Sequence, residues 1–111
     1  MFAGFVINGA PKSILVRAVG PALRAQGVAS ALADPQLDLY RGGEKWDHND
    51  DWQGDPELEA AFAATGAFRL TNPWSGDAAL VALLPPGAYT AQVTGVGGAS
   101  GVALAEIYAL P

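Results

Sequence analysis

Short apolar runs recur along this chain, several alternating with a period of two, and Gly or Pro punctuates nearly every one. That period belongs to strands, whose successive side chains point to opposite faces. Phe2 to Ile7 reads as a first strand, closed by the turn Asn8-Gly9-Ala10-Pro11-Lys12. Ser13 to Val19 follows, with Ile14, Val16 and Ala18 opposite Leu15, Arg17 and Val19, and the two runs read as a hairpin. Gly20-Pro21 ends the second run, because proline has no N–H to give a ladder. Gln36 to Arg41 sets Leu37 and Leu39 against Asp38 and Tyr40, and Gly42-Gly43 turns it into a partner, Glu44 to His48. Asp77 to Leu84 is a buried-type strand, and Pro85-Pro86-Gly87 makes a sharp turn. In Ala88 to Thr94, Tyr89, Ala91 and Val93 alternate with Thr90, Gln92 and Thr94. A loose hairpin loop, Gly95 to Gly101, leads to the closing strand, Val102 to Leu110.

Two segments break the period. Pro21 to Gln26 reads as one helical turn with proline at its first position and Gly27 as its stop, and Val28 to Pro35 as loop. Further on, Asp55 suits an N-cap, Pro56 the first helical position, and Glu57 and Glu59 the positive end of the helix dipole. Leu58, Ala61 and Phe62 give this second helix one apolar stripe, and Gly66 ends it. Turn signals roughly every 8–12 residues are those of a sandwich or barrel. The prediction is an all-β fold: a single antiparallel, jelly-roll-like β-sandwich domain over residues 1–111, with about seven strands and two short helices.

Composition supports that reading and removes several functions. Half the residues are hydrophobic and only 15% charged, with 14 Gly and 8 Pro, which suits short strands and tight turns and not disorder. The absence of cysteine excludes disulfides, thiol catalysis and Cys-ligated zinc, and leans toward export. A net charge of −5 argues against nucleic acid as a partner. Nine of the 11 acids lie between Asp34 and Glu59, so any electrostatic function belongs to that segment. No apolar run is long enough to insert in a membrane, and the opening Met1-Phe2-Ala3-Gly4 has no basic region of the kind that begins a signal peptide.

The candidate chemistry is sparse. Asp47, Asn49 and Asp51 have the alternate spacing by which a loop wraps oxygen ligands around Ca²⁺, and Asp55 could complete the set. The EF-hand pattern fails, since Trp52 stands where it needs Gly and Leu58 where it needs Glu; the competing reading is a solvated turn in which Asn and Asp cap local N–H groups. Trp46, Trp52, Trp74 and Tyr40 could form a platform on which sugar rings stack, or could simply cover sheet ends. Arg17, mid-strand among apolar residues, calls for a buried carboxylate, with Glu106 as the natural structural ion-pair partner and Asp38 and Asp77 as alternatives. His48 is the only histidine and no serine sits in a G-x-S-x-G elbow, so the chain reads as non-catalytic.

Several segments together carry a resemblance. They are Ile14-Leu15-Val16-Arg17-Ala18-Val19-Gly20-Pro21-Ala22-Leu23, Leu32-Ala33-Asp34-Pro35-Gln36-Leu37-Asp38-Leu39-Tyr40, Asn49-Asp50-Asp51-Trp52, Asp77-Ala78-Ala79-Leu80, Leu84-Pro85-Pro86-Gly87-Ala88-Tyr89-Thr90 and Gly101-Val102-Ala103-Leu104. In that order they resemble a poorly characterised repeat domain of large secreted and cell-surface bacterial proteins. More remotely, the layout is similar to bacterial pre-peptidase C-terminal domains, sandwiches appended to secreted hydrolases. The Arg17–Pro21 segment and the second helix depart from the latter, so no calcium ligand is carried over. The resemblance implies a secreted or cell-surface location and a binding role.

Two functions follow as expectations. The first is a non-catalytic structural or adhesive module that binds a surface, neighbouring domains or other copies of itself. Ala78 to Leu84 and Val102 to Leu110 are apolar on both faces, so either the helices or a neighbouring subunit must cover them, and an edge strand could accept a strand from another copy. The second is a calcium-dependent accessory domain that binds polysaccharide for a secreted enzyme.

Overall fold

The computed structural model describes residues Met1–Pro111. Its strands are β1 (Phe2–Ile7), β2 (Lys12–Val19), β3 (Pro35–Arg41), β4 (Glu44–Asn49), β5 (Ala78–Leu84), β6 (Gly87–Gly95) and β7 (Leu104–Ala109), joined by helices α1 (Pro21–Arg24) and α2 (Pro56–Thr65). They form two antiparallel sheets, ordered β1-β6-β3-β4 and β5-β2-β7. The chain is an all-β sandwich.

Two expected hairpins do not form. β1 pairs with β6, whereas β2 pairs with β5 and β7, so Asn8–Pro11 carries the chain from one sheet to the other. The loop after β6 likewise crosses to the second sheet. Alternation fixes which face of a strand is buried and says nothing of its neighbour. Four extended residues reach about 13 Å, enough to bridge sheets about 10 Å apart. β3 and β4 alone make a local hairpin, with Gly42 at φ 59° in the turn.

The strand order is that of an eight-stranded jelly roll with one position empty. In the complete pattern four strands lie over four, and the vacant place is the one beside β7. β3 packs across β2 and β5, and β4 packs across β5, so the alignment of the sheets sets β1 over the gap.

Burial explains why β2 and β5 are apolar on both faces. Between the sheets lie Ile14, Val16, Leu80 and Leu84 of one against Leu37, Leu39, Tyr89 and Val93 of the other. On the far side of β2 and β5, Leu15, Val19 and Ala79 are buried under Trp52, Leu58, Ala61, Phe62 and Leu70. The three-stranded sheet is therefore the middle of three layers, and α2 with its flanking loops is the outer one. Asp55 caps α2 by accepting the Glu57 N–H at 2.9 Å, and Gly66 ends it in the left-handed conformation at φ 74°.

One conformational lock ties the end of β2 to the start of β5. Asp77 is fully buried, and its Oδ1 accepts the N–H groups of Gly20 (2.8 Å) and Ala22 (3.3 Å) while Oδ2 accepts the Ser75 hydroxyl (2.6 Å). A side chain on Gly20 would lie 2.2 Å from the Leu32 carbonyl oxygen, so the chain can pass there only as glycine.

Candidate functional site

Arg17 is fully buried, and the register sets it directly opposite Glu106. Its Nε donates to Glu106 Oε1 at 2.9 Å, Nη2 lies 2.7 Å from the same oxygen, and Nη1 donates to the Phe68 carbonyl at 2.7 Å. The guanidinium is stacked between the rings of Phe62 and Phe68, 4.7 and 4.4 Å from their centroids. Tyr108 donates to the other Glu106 oxygen at 2.5 Å, and that bond, with burial and the carboxylate charge adding, raises the phenol's pKa. Nε and Nη1 are thus hydrogen-bonded beneath α2, whereas Nη2 has the charge of Glu106 beside it but no hydrogen-bond acceptor.

The two alternative partners of Arg17 are engaged elsewhere. Asp77 belongs to the Gly20 lock. Asp38 stands on the outer face of the four-stranded sheet, where His48 Nδ1 lies 2.7 Å and Lys45 Nζ 3.1 Å from its Oδ1. Burial pushes the Asp38 carboxyl up, but the hydrogen bonds from His48 and Lys45 outweigh it and hold the group below the ordinary range. The bond to Asp38 raises Lys45 in turn. The only histidine is thus hydrogen-bonded to Asp38 on the outer face of the four-stranded sheet.

The residues first considered for calcium have other uses. Asn49 Oδ1 accepts the Ala79 N–H at 3.1 Å and its amide donates to the Asp51 carbonyl, Asp47 accepts the His48 N–H, and Asp55 caps α2. Of the four, only Asp51 enters a group that converges. Asp34, Asp50 and Asp51 each offer an oxygen within 4.8 Å of the other two. Asp34 Oδ1 and Asp50 Oδ1 are buried with no hydrogen-bond donor. Desolvation first, then the charge of Asp50, a hydrogen bond shared with the Asp50 carboxyl, and the charge of Asp51 raise the Asp34 carboxyl above its ordinary value. The turn at Gly42-Gly43, itself legible in the sequence, carried the signal for this convergence. Reflecting the chain about that turn folds residue 34 back onto residues 50 and 51.

The four aromatics do not share a surface. Trp52 is buried against Phe62, its ring N–H donating to the Asn72 carbonyl at 3.2 Å. Trp46 packs edge-on against Tyr89 with Arg41 beside both rings. Tyr40 is half-buried on the outer face of the four-stranded sheet. Trp74 projects from the turn before β5 with 79% of its surface exposed.

The open side of the sandwich has a different character. β7 ends one sheet and β1 ends the other. Phe5, Ala103, Ala105 and Ile107 pack on the core yet stay only partly buried. Phe2 is 70% and Val6 63% exposed, and Val102 and Leu104 are exposed as well. Apart from Glu106, which is turned to Arg17, neither strand carries a charged side chain.

No helix is long and apolar enough to cross a membrane. No protein-family model matches the chain, and no curated protein or solved structure does either.

Proposed function

We propose that this chain is a non-catalytic structural or adhesive module that associates by taking a strand into the vacant jelly-roll position beside β7. The observation that carries this is the gap itself: three strands lie under four, with apolar core residues half-exposed along the missing edge. An edge strand presents a row of unpaired N–H and C=O groups, which a second extended chain satisfies at every other residue. An incoming strand antiparallel to β7 would extend the ladder and cover Phe5 and Ile107 together. We take the donor to be a second copy of the chain, so that like modules assemble with one another. The resemblance to secreted repeat domains supports an extracellular setting, where such modules pack against neighbours or a surface.

The test is sedimentation over a wide concentration range with hydrogen exchange read at β7. The expected outcome is reversible self-association, unaffected by chelator, that protects the amides of Leu104–Ala109. Leu104→Lys and Ala109→Lys, each on an exposed residue, should weaken it without unfolding the chain. A chain that stays monomeric near millimolar concentration, or associates with β7 unprotected, would sink the proposal.

One observation favours a second reading, a calcium-dependent carbohydrate-binding accessory domain. The Asp34, Asp50 and Asp51 carboxylates converge and leave two buried oxygens without donors, which a hard cation would satisfy. Under that reading millimolar calcium raises the melting temperature, and Asp50→Asn removes the rise.

A further inference from the structure

We propose that the cleft between α1 and the turn around Trp74 binds an acidic sugar, a uronate residue of a polysaccharide, with Arg24 and Arg69 on the carboxylate and Trp74 under the ring. The cleft has a volume of about 610 Å³, and Gln26, Thr71 and Asn72 also line it. It does not depend on the vacant strand position, which lies at the sandwich's other margin beside β7.

Charge separates this cleft from the rest of the molecule. The chain has a net charge of −5, yet two of its six bases meet here. The one carboxylate in the lining, Asp77, is fully buried and already accepts three hydrogen bonds. Each arginine has one long contact, and that of Arg69 is a salt bridge to Glu59. Arg24 Nη2 reaches the Ala31 carbonyl at 3.4 Å, and Arg69 Nη2 reaches Glu59 at 3.4 Å, both at the long limit of hydrogen bonding. Most of their N–H donors are free, and a guanidinium fork matches a carboxylate in geometry as well as charge.

Trp74 is the most exposed large apolar side chain in the molecule, and hydrogen bonds hold the backbone of its turn. Asn72 Oδ1 accepts the Trp74 N–H at 2.9 Å, and the Asn72 carbonyl accepts both the Ser75 N–H and the Trp52 ring N–H at 3.2 Å. Pro73 packs so closely on Gly54 that a side chain there would come within 2.7 Å of it. A turn whose backbone is already held by hydrogen bonds loses little backbone freedom on binding. The indole face suits the C–H face of a pyranose ring, and the amide and hydroxyl groups of Gln26, Asn72 and Thr71 suit ring hydroxyls. An acidic peptide would use the arginines but leave that neutral polar surround without a purpose.

Calorimetric titration of the full chain with an oligogalacturonate, with a neutral galactose oligomer of equal length and with poly-glutamate tests this. The acidic sugar alone should bind saturably, more weakly as salt rises. Arg24→Gln with Arg69→Gln, and separately Trp74→Ala, should each weaken binding roughly tenfold or more without moving the thermal midpoint. Absence of binding, equal binding of the neutral oligomer, or full binding by the Trp74 variant overturns the proposal. Poly-glutamate binding as tightly as the sugar would overturn the ligand class and assign the cleft to acidic peptides.

Discussion

The two edges β4 and β7 are each six residues long and close opposite margins of the sandwich, yet they meet water in contrary ways. β4 carries Glu44, Lys45, Asp47 and His48, and a bulge disturbs its register with β3 near Leu39 and Tyr40. Both devices discourage a passing strand from pairing. β7 carries one charge, and that charge is spent inward on Arg17. An edge can thus hold a carboxylate and still be unguarded, because what repels a neighbour is charge facing solvent, not charge in the sequence.

The difference is sharpest for the charged groups themselves. Glu106→Ala leaves the buried Arg17 guanidinium without its partner, and loss of one member of a buried pair costs about 3–5 kcal/mol. β7 should then fray from β2, and urea denaturation should show the unfolding free energy falling by that amount. Replacing both members, Arg17→Met with Glu106→Leu, should recover most of the loss, since an apolar pair leaves no stranded charge. Lys45→Ala on β4 should leave the midpoint at neutral pH unchanged within error, its ammonium being solvated on the surface. If both single variants lost equal stability, the contrast between the edges would not hold.

The existence of the elements was legible because it depends on local signals. Asp55-Pro56, Gly66 and the alternation in β3 and β6 all act within a few residues. The hairpins expected at Asn8–Lys12 and Gly95–Gly101 were not legible, because a strand's partner is chosen by the whole sheet. Arg17 and Glu106 could be matched by chemistry alone: a lone charge in an apolar strand needs an opposite charge in another. The calcium candidates show the reverse. Spacing brought out Asp47, Asn49, Asp51 and Asp55, whereas convergence depends on the fold of the β3–β4 hairpin, which adds Asp34 and Asp50 and spends Asn49 and Asp55 on backbone N–H groups. The cleft at Trp74 draws its arginines from residues 24 and 69, and no local pattern joins them.

A smaller effect should follow from disarming the guarded edge. Glu44→Thr, Lys45→Thr and His48→Thr together remove three of the four polar guards of β4 and raise its β-propensity. In a Leu104→Lys background, where the β7 route is blocked, sedimentation should reveal a new association strengthened on the order of tenfold, or about 1.4 kcal/mol. Hydrogen exchange should then place the new protection on Glu44–Asn49. Were the triple variant as monomeric as its parent, the charges on β4 would not be what keeps that edge free.

The smallest effect separates two carboxylates at opposite ends of the β3–β4 hairpin's charge pattern. Asp38 is held below the ordinary range by His48 and Lys45 despite its burial, whereas Asp34 is raised by burial and by the Asp50 and Asp51 charges. A carboxyl lowered from an unfolded value of about 3.9 contributes stability that is complete above that value and is lost as pH falls through the folded pKa. A raised carboxyl does the opposite: its contribution is complete below the unfolded value and is lost as pH climbs through the folded one. Asp38→Asn should therefore lower the melting temperature at neutral pH by roughly 1–3 °C, and the deficit should close in acid. Asp34→Asn should raise it by a similar or smaller amount, and that gain should also vanish below about pH 4. Salt should shrink the Asp38 effect first, since Lys45 and His48 are half in solvent while the Asp34 and Asp50 oxygens are buried. Thermal scans from acid to neutral pH decide it: the two variants must move in opposite directions, and a shared sign would mean that the hairpin's charges do not act through these contacts.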